Sequence, residues 1–199
     1  MFKKLLAAFG ATPTSEPDTE PTGLNHPYPE PHTNFFYNLV FCDQPDLFRK
    51  PGTENNAYPW TALLADAPDE SELLALANDE TSEGRVRALA FNRLRAMGAE
   101  VPPKALLGVI VEVPLTNGLD VLAAFSDGGV RYLNQSGKIA VVEGDDTPMA
   151  GLAKELVAVA RPIVEKIGPW EEQRLPPPKA GNVRITFLVS DGLYFGEGR

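Results

Sequence analysis

Four hairpin-turn signals divide the second half of the chain into short runs of β-branched and aromatic residues. They are Asn117-Gly118, Asp127-Gly128-Gly129, Ser136-Gly137 and Asp191-Gly192. Such pairs favour antiparallel hairpins, because a type I′ turn needs positive φ at both central residues. The spacing predicts a meander of strands over 106–113, 119–126, 130–134 and 138–143, and a closing hairpin of 183–190 with 193–196.

Helical patterns surround these strands. Asp69 followed by Glu72 reads as a capping box ahead of Leu73, Leu74 and Leu76. Thr81 or Ser82 is the expected cap of the next helix, with Gly98 at its C-terminal turn. Asp146 or Thr147, with Pro148 at the first position, starts a long helix running to about residue 168 and kinked at Pro162. Leu152, Leu156, Val159, Ile163 and Ile167 give that helix a narrow apolar stripe.

Residues 35–41, Phe-Phe-Tyr-Asn-Leu-Val-Phe, read as a strand buried on both faces, and Asp43 as the cap of a short helix behind it. The expected class is α+β, with a largely antiparallel six- to seven-stranded sheet and helices packed on one face. The expected organisation is a short amphipathic helix over 1–10, a proline-rich linker over 11–33 and one α+β domain over 34–199. Within that domain, 34–98 is mostly helical and 99–199 holds the sheet and the long helix. Alternation of Val109, Val111 and Val113 with Ile110 and Glu112 implies a partly wet sheet face.

Composition excludes several functions. The chain carries 27 acids against 18 bases, a formal charge of −9, which disfavours a nucleic-acid partner. Its single cysteine, Cys42, permits no internal disulfide and fits a reducing, cytoplasmic setting. Both histidines, His26 and His32, lie in the proline-rich stretch, so the core lacks the residue needed for a Ser-His-Asp triad or a histidine-ligated zinc. No apolar run reaches transmembrane length. No motif implies a cofactor: Gly192, Gly196 and Gly198 precede no helix and make no dinucleotide fingerprint.

The candidate sites are of three kinds. Phe2, Leu5, Leu6 and Phe9 share one face of the 1–10 helix. That face can dock in a partner's groove, make weak peripheral contact with an anionic membrane through Lys3 and Lys4, or pack on its own domain. Arg93 points into the apolar face of its helix. With Arg131, Tyr132 and Trp170 it is a candidate lining for a ligand pocket between sheet and helices, against the plainer reading of a structural ion pair. Glu143, Asp145 and Asp146 are the candidate oxygen ligands for a hard cation. The same acids at a helix start also oppose its dipole.

Three stretches, LLGVIVEVPLTNGLDVLAAFSDGGVRYLNQSGK, GPWEEQRLPPP and RITFLVSDGLYFGEG, together resemble a family of uncharacterised bacterial proteins of about this size. The resemblance spans much of 35–198. It implies a bacterial source and an intracellular setting, and it carries over no catalytic or binding residues.

Three functional readings follow. The first is a non-enzymatic protein-binding or scaffold domain whose tethered N-terminal helix docks on a protein partner. The second is a small-ligand binder or sensor. The third is a carboxylate- and metal-dependent enzyme. Exposed sheet edges also allow a homodimer.

Overall fold

The meander forms as expected. β1 (Leu106–Leu115), β2 (Gly118–Phe125), β3 (Val130–Leu133) and β4 (Ile139–Val142) pair in sequence, and β5 (Val183–Val189) lies on the other side of β1 with β6 (Gly192–Gly198) beyond it. All five pairings are antiparallel, in the order β4-β3-β2-β1-β5-β6. The computed structural model describes residues 23–49, 57–144 and 146–199. Gly118 shows why the first turn needs glycine: its φ is +149°, and a Cβ there would lie 2.6 Å from the Gln135 carbonyl oxygen.

Among the described residues five α-helices complete the α+β fold: α1 (Pro31–Leu39), α2 (Trp60–Leu63), α3 (Glu70–Asn78), α4 (Gly84–Ala96) and α5 (Pro148–Val164). Asp69 caps α3 as its sequence implies, accepting a hydrogen bond from the Glu72 amide at 2.9 Å. At α4 the cap residue is Glu83, whose side chain makes no capping bond. The expected caps Thr81 and Ser82 instead donate to Asp79 in the preceding turn. Gly84 lets the start of α4 approach the sheet, since a Cβ there would lie 2.9 Å from the Leu107 carbonyl oxygen.

The helices occupy both faces of the sheet rather than one. Ile110, Val121 and Ala123 pack with α1, α3 and α4, while Val109 and Phe187 pack with α5. Connectivity explains this. The chain leaves β4 at one edge and must return beside β1, so α5 crosses the face that α4 leaves free. Glu112 therefore does not mark a wet face; it is 1 % exposed beneath α1.

The strand expected over 35–41 is helical. Asn34, Tyr37, Asn38 and Phe41 recur at helical spacing and are all buried. Two of them are polar, so apolar periodicity alone misses the pattern. The asparagines are satisfied locally: Asn34 donates to the Tyr28 carbonyl and accepts from its amide, both at 2.8 Å, and Asn38 donates to the Asn25 carbonyl at 2.8 Å. Nor are residues 23–33 a bare linker. Tyr28 is 4 % exposed, and its hydroxyl donates to the Leu119 carbonyl at 2.8 Å.

The long helix begins where expected. Thr147 caps it by accepting from the Ala150 amide at 3.1 Å, Pro148 opens it, and Pro162 lies inside it. Its orientation is the surprise. Ala150, Ala153, Val157, Ala160 and Val164 face the sheet. From the expected apolar stripe, Leu152, Val159 and Ile163 face outward, whereas Leu156 and Ile167 stay partly buried against the core. Small side chains allow close approach: a Cβ on Gly128 would meet that of Ala150 at 2.9 Å.

Candidate functional site

A polar seam lies between α1 and the sheet. The Tyr37 hydroxyl donates to Glu112 at 2.7 Å. Arg184, also buried, donates to Glu197 at 2.6 Å and to the Pro176 carbonyl at 2.6 Å. Arg174 donates from Nε to Asp43 at 2.9 Å and from Nη2 to Asn38 at 2.7 Å, with its guanidinium 3.9 Å from the centre of the Phe41 ring. Asp43 is thus an ion-pair partner, and it does not cap the short 3₁₀ turn Pro45–Phe48 as its position implied. Burial raises the carboxyl pKa of Glu112 and of Asp43, and lifts the Tyr37 phenol well above its ordinary value. The Cys42 thiol, buried nearby, is pushed up to about 12, which leaves it un-ionised and unreactive at neutral pH.

Two clefts open among the described residues, the larger of them beside this seam. The larger, about 430 Å³, is lined by Asp43, Arg174, Arg95, Trp170 and Asp191 among others. Arg95 donates to the Ser190 carbonyl at 2.5 Å. Burial lowers the pKa of its guanidinium. Trp170 stands edge-on to Phe195 at 5.1 Å and donates to the Gln173 carbonyl at 3.0 Å. Among the described residues, Asp43 Oδ1 and Arg174 Nη1 are buried without a hydrogen-bond partner. The smaller cleft, about 140 Å³, lies between Arg85, Asp127, Arg131 and Glu143. There Arg131 pairs with Glu143 at 2.9 Å and Arg85 with Glu83 at 2.6 Å, so both guanidiniums already hold a carboxylate.

The sequence-derived pocket residues do not converge. Trp170 lines the larger cleft and Arg131 the smaller. Arg93 donates to the Ala65 carbonyl at 2.6 Å, and Tyr132 donates to Asp120 at 2.7 Å on the surface. Of the acidic trio, Glu143 is held by Arg131, Asp146 is exposed, and Asp145 lies outside the described residues, as do Phe2, Leu5, Leu6 and Phe9. Among the described residues no group of three or more His, Cys, Asp or Glu is placed to hold a metal ion. No helix among them is long and apolar enough to cross a membrane.

The outer face of α5 is the most unusual surface. Met149, Leu152, Val159 and Ile163 are 45 %, 60 %, 61 % and 48 % exposed. With Leu156, which is partly buried, they recur at alternating intervals of three and four residues, the spacing of a helix–helix seam. A second set at the same spacing, Ala150, Ala153, Val157, Ala160 and Val164, faces the sheet. Two such registers on one helix are legible in the sequence, and their presence signals a helix with two apolar contacts. The stripe expected from the sequence follows the bulkier register alone.

The chain matches no protein-family model, no curated protein and no solved structure.

Proposed function

We propose that this protein is a non-enzymatic protein-binding domain, a small scaffold whose contact surface is the outer face of α5. The observation that supports the reading is the row of large apolar side chains, 45–61 % exposed, on a well-capped helix that already has a complete apolar contact with the sheet. Contiguous exposed apolar surface of this kind marks an interaction site. Two of the guanidiniums that line the clefts are engaged internally, in the Arg131–Glu143 and Arg174–Asp43 pairs. Residues 1–10 supply a second, tethered contact in this proposal, with Phe2, Leu5, Leu6 and Phe9 entering a partner's groove and the linker setting the effective concentration.

Affinity capture from native cell extract tests it with three full-length chains: wild type, Leu152→Glu/Val159→Glu and Leu5→Asp/Phe9→Asp. Loss of a specific partner with the first variant supports α5 as the contact, and loss with the second supports the tethered segment. A partner held equally by all three chains would reject both surfaces.

A second reading, a small-ligand binder, rests on the larger cleft, where Asp43 Oδ1 and Arg174 Nη1 lie buried and unpartnered among the described residues. A ligand bound there by the folded state raises the melting temperature. A metabolite panel that leaves melting unchanged removes that reading.

A further inference from the structure

We propose that the larger cleft binds a free amino acid as its zwitterion, with the carboxylate on Arg95, the ammonium on the carboxylates of the cleft and the side chain against Trp170. The inference rests on the reading of this cleft as a ligand site and adds the class of ligand. The walls come from α4, from the segment that follows α5 and from the β5–β6 turn. They are set before any ligand arrives. A Cβ on Gly192 would lie 3.0 Å from that of Pro169, and Arg174 is held by Asp43 and Asn38 over the Phe41 ring. The volume, about 430 Å³, is in the range of small-molecule sites.

Arg95 supplies the unmet positive charge. Its Nη1 donates to the Ser190 carbonyl, and no carboxylate pairs with it among the described residues. Asp191, whose charge acts on it, is engaged by the Tyr194 hydroxyl at 3.0 Å and the Lys104 amide at 3.3 Å. A half-buried guanidinium with spare N–H groups favours a carboxylate, whose two oxygens match its fork. Arg174, its side chain 6 % exposed, adds Nη1, buried without a partner. Negative charge lines the same cleft. Asp43 Oδ1 has no hydrogen-bond partner, and Glu171 and Glu172 are exposed and in no ion pair among the described residues. With Asp191 they make four carboxylates against two guanidiniums. A phosphate or dicarboxylate meets net repulsion there, and a plain amine leaves Arg95 unanswered. A zwitterion carries no net charge and answers both signs. Trp170, held by its bond to the Gln173 carbonyl and its contact with Phe195, gives the ligand's side chain an apolar wall, which favours large apolar or aromatic amino acids.

Thermal melts of the full chain with each common L-amino acid, and with the decarboxylated amine and the N-acetyl derivative of any that binds, read the outcome. An apolar or aromatic amino acid is expected to raise the melting temperature by about 3–6 °C at ten times its Kd, because it binds the folded state alone. Its amine and its N-acetyl derivative each bind at least about tenfold more weakly, having lost one charge-assisted contact. Arg95→Gln weakens binding by about tenfold to a hundredfold. Glu171→Gln/Glu172→Gln, placed on exposed side chains where the fold is not at risk, weakens it by about threefold to tenfold. An amine or N-acetyl derivative that binds as well as the amino acid overturns the proposal, as does a shift that both variants retain in full. A metabolite of another class that alone shifts melting, and loses its effect in Arg95→Gln, overturns the amino acid as ligand and leaves the cleft as a ligand site. A panel of amino acids and metabolites in which nothing shifts melting removes both.

Discussion

Glu112 sits beneath α1 with its carboxylate on the Tyr37 hydroxyl, and burial raises its pKa against the weaker opposing pull of Tyr37, Arg184 and Arg174. A carboxyl with a raised folded-state pKa contributes stability below the ordinary glutamate range and loses it as pH rises through the raised value. Glu112→Gln keeps an acceptor for Tyr37 and removes that ionisation. Thermal melts from about pH 4 to pH 8 are therefore expected to favour the variant progressively as pH rises. A variant that instead loses ground on raising the pH would mean that the carboxylate is ionised and held by Arg184. The class of residue 112 was legible in the sequence. Its burial was not, because a glutamate alternating with valines reads as a solvent-facing position.

At the scale of the element, α5 separates what caps determine from what packing determines. Thr147 and Pro148 set its start through local backbone chemistry, which a short window of sequence contains. Its rotation depends on the distance to β1, β2 and β3, which the window does not contain. Bulky leucines would hold the helix off the sheet, whereas Ala150, Ala153 and Ala160 let it settle. Two substitutions separate the faces. Ala160→Leu overpacks the buried face and is expected to cost about 1–3 kcal/mol. Leu152→Glu, on the exposed face, is expected to stay within about 0.5 kcal/mol of wild type. Urea unfolding of both variants measures the contrast, and a larger loss for Leu152→Glu than for Ala160→Leu would mean that the helix is rotated the other way. The same reasoning applies to α1, where buried Asn34 and Asn38 carry the helical period that an apolar count overlooks.

Across the whole molecule, long-range contacts tie the proline-rich entry to the sheet. Tyr28 packs edge-on to Tyr37 at 6.2 Å and bonds to β2 through the Leu119 carbonyl, and Asn25 donates to the Leu175 carbonyl at 3.2 Å. Tyr28→Ala in the full chain is expected to lower unfolding free energy by about 3–5 kcal/mol, the range for truncating a buried aromatic. A loss below 1 kcal/mol in denaturant titration would show that this segment contributes little to the fold. The same scale explains the dispersal of the pocket residues: Arg93 stands on α4, Arg131 and Tyr132 point to opposite faces of β3, Trp170 lies beyond α5, and each finds its own local partner.

By itself the sequence determined the antiparallel meander, the closing hairpin, the capping of α3 and α5 and the α+β class. Each depends on residues close together in the chain, where turn dihedrals and cap hydrogen bonds act. Tertiary structure alone decided the placement of helices on both faces, the burial of Glu112, the Arg174–Asp43 pair and the outward turn of Leu152, Val159 and Ile163. These depend on which surfaces meet across many residues of chain, and a side chain's partner is then set by the space that the other elements leave.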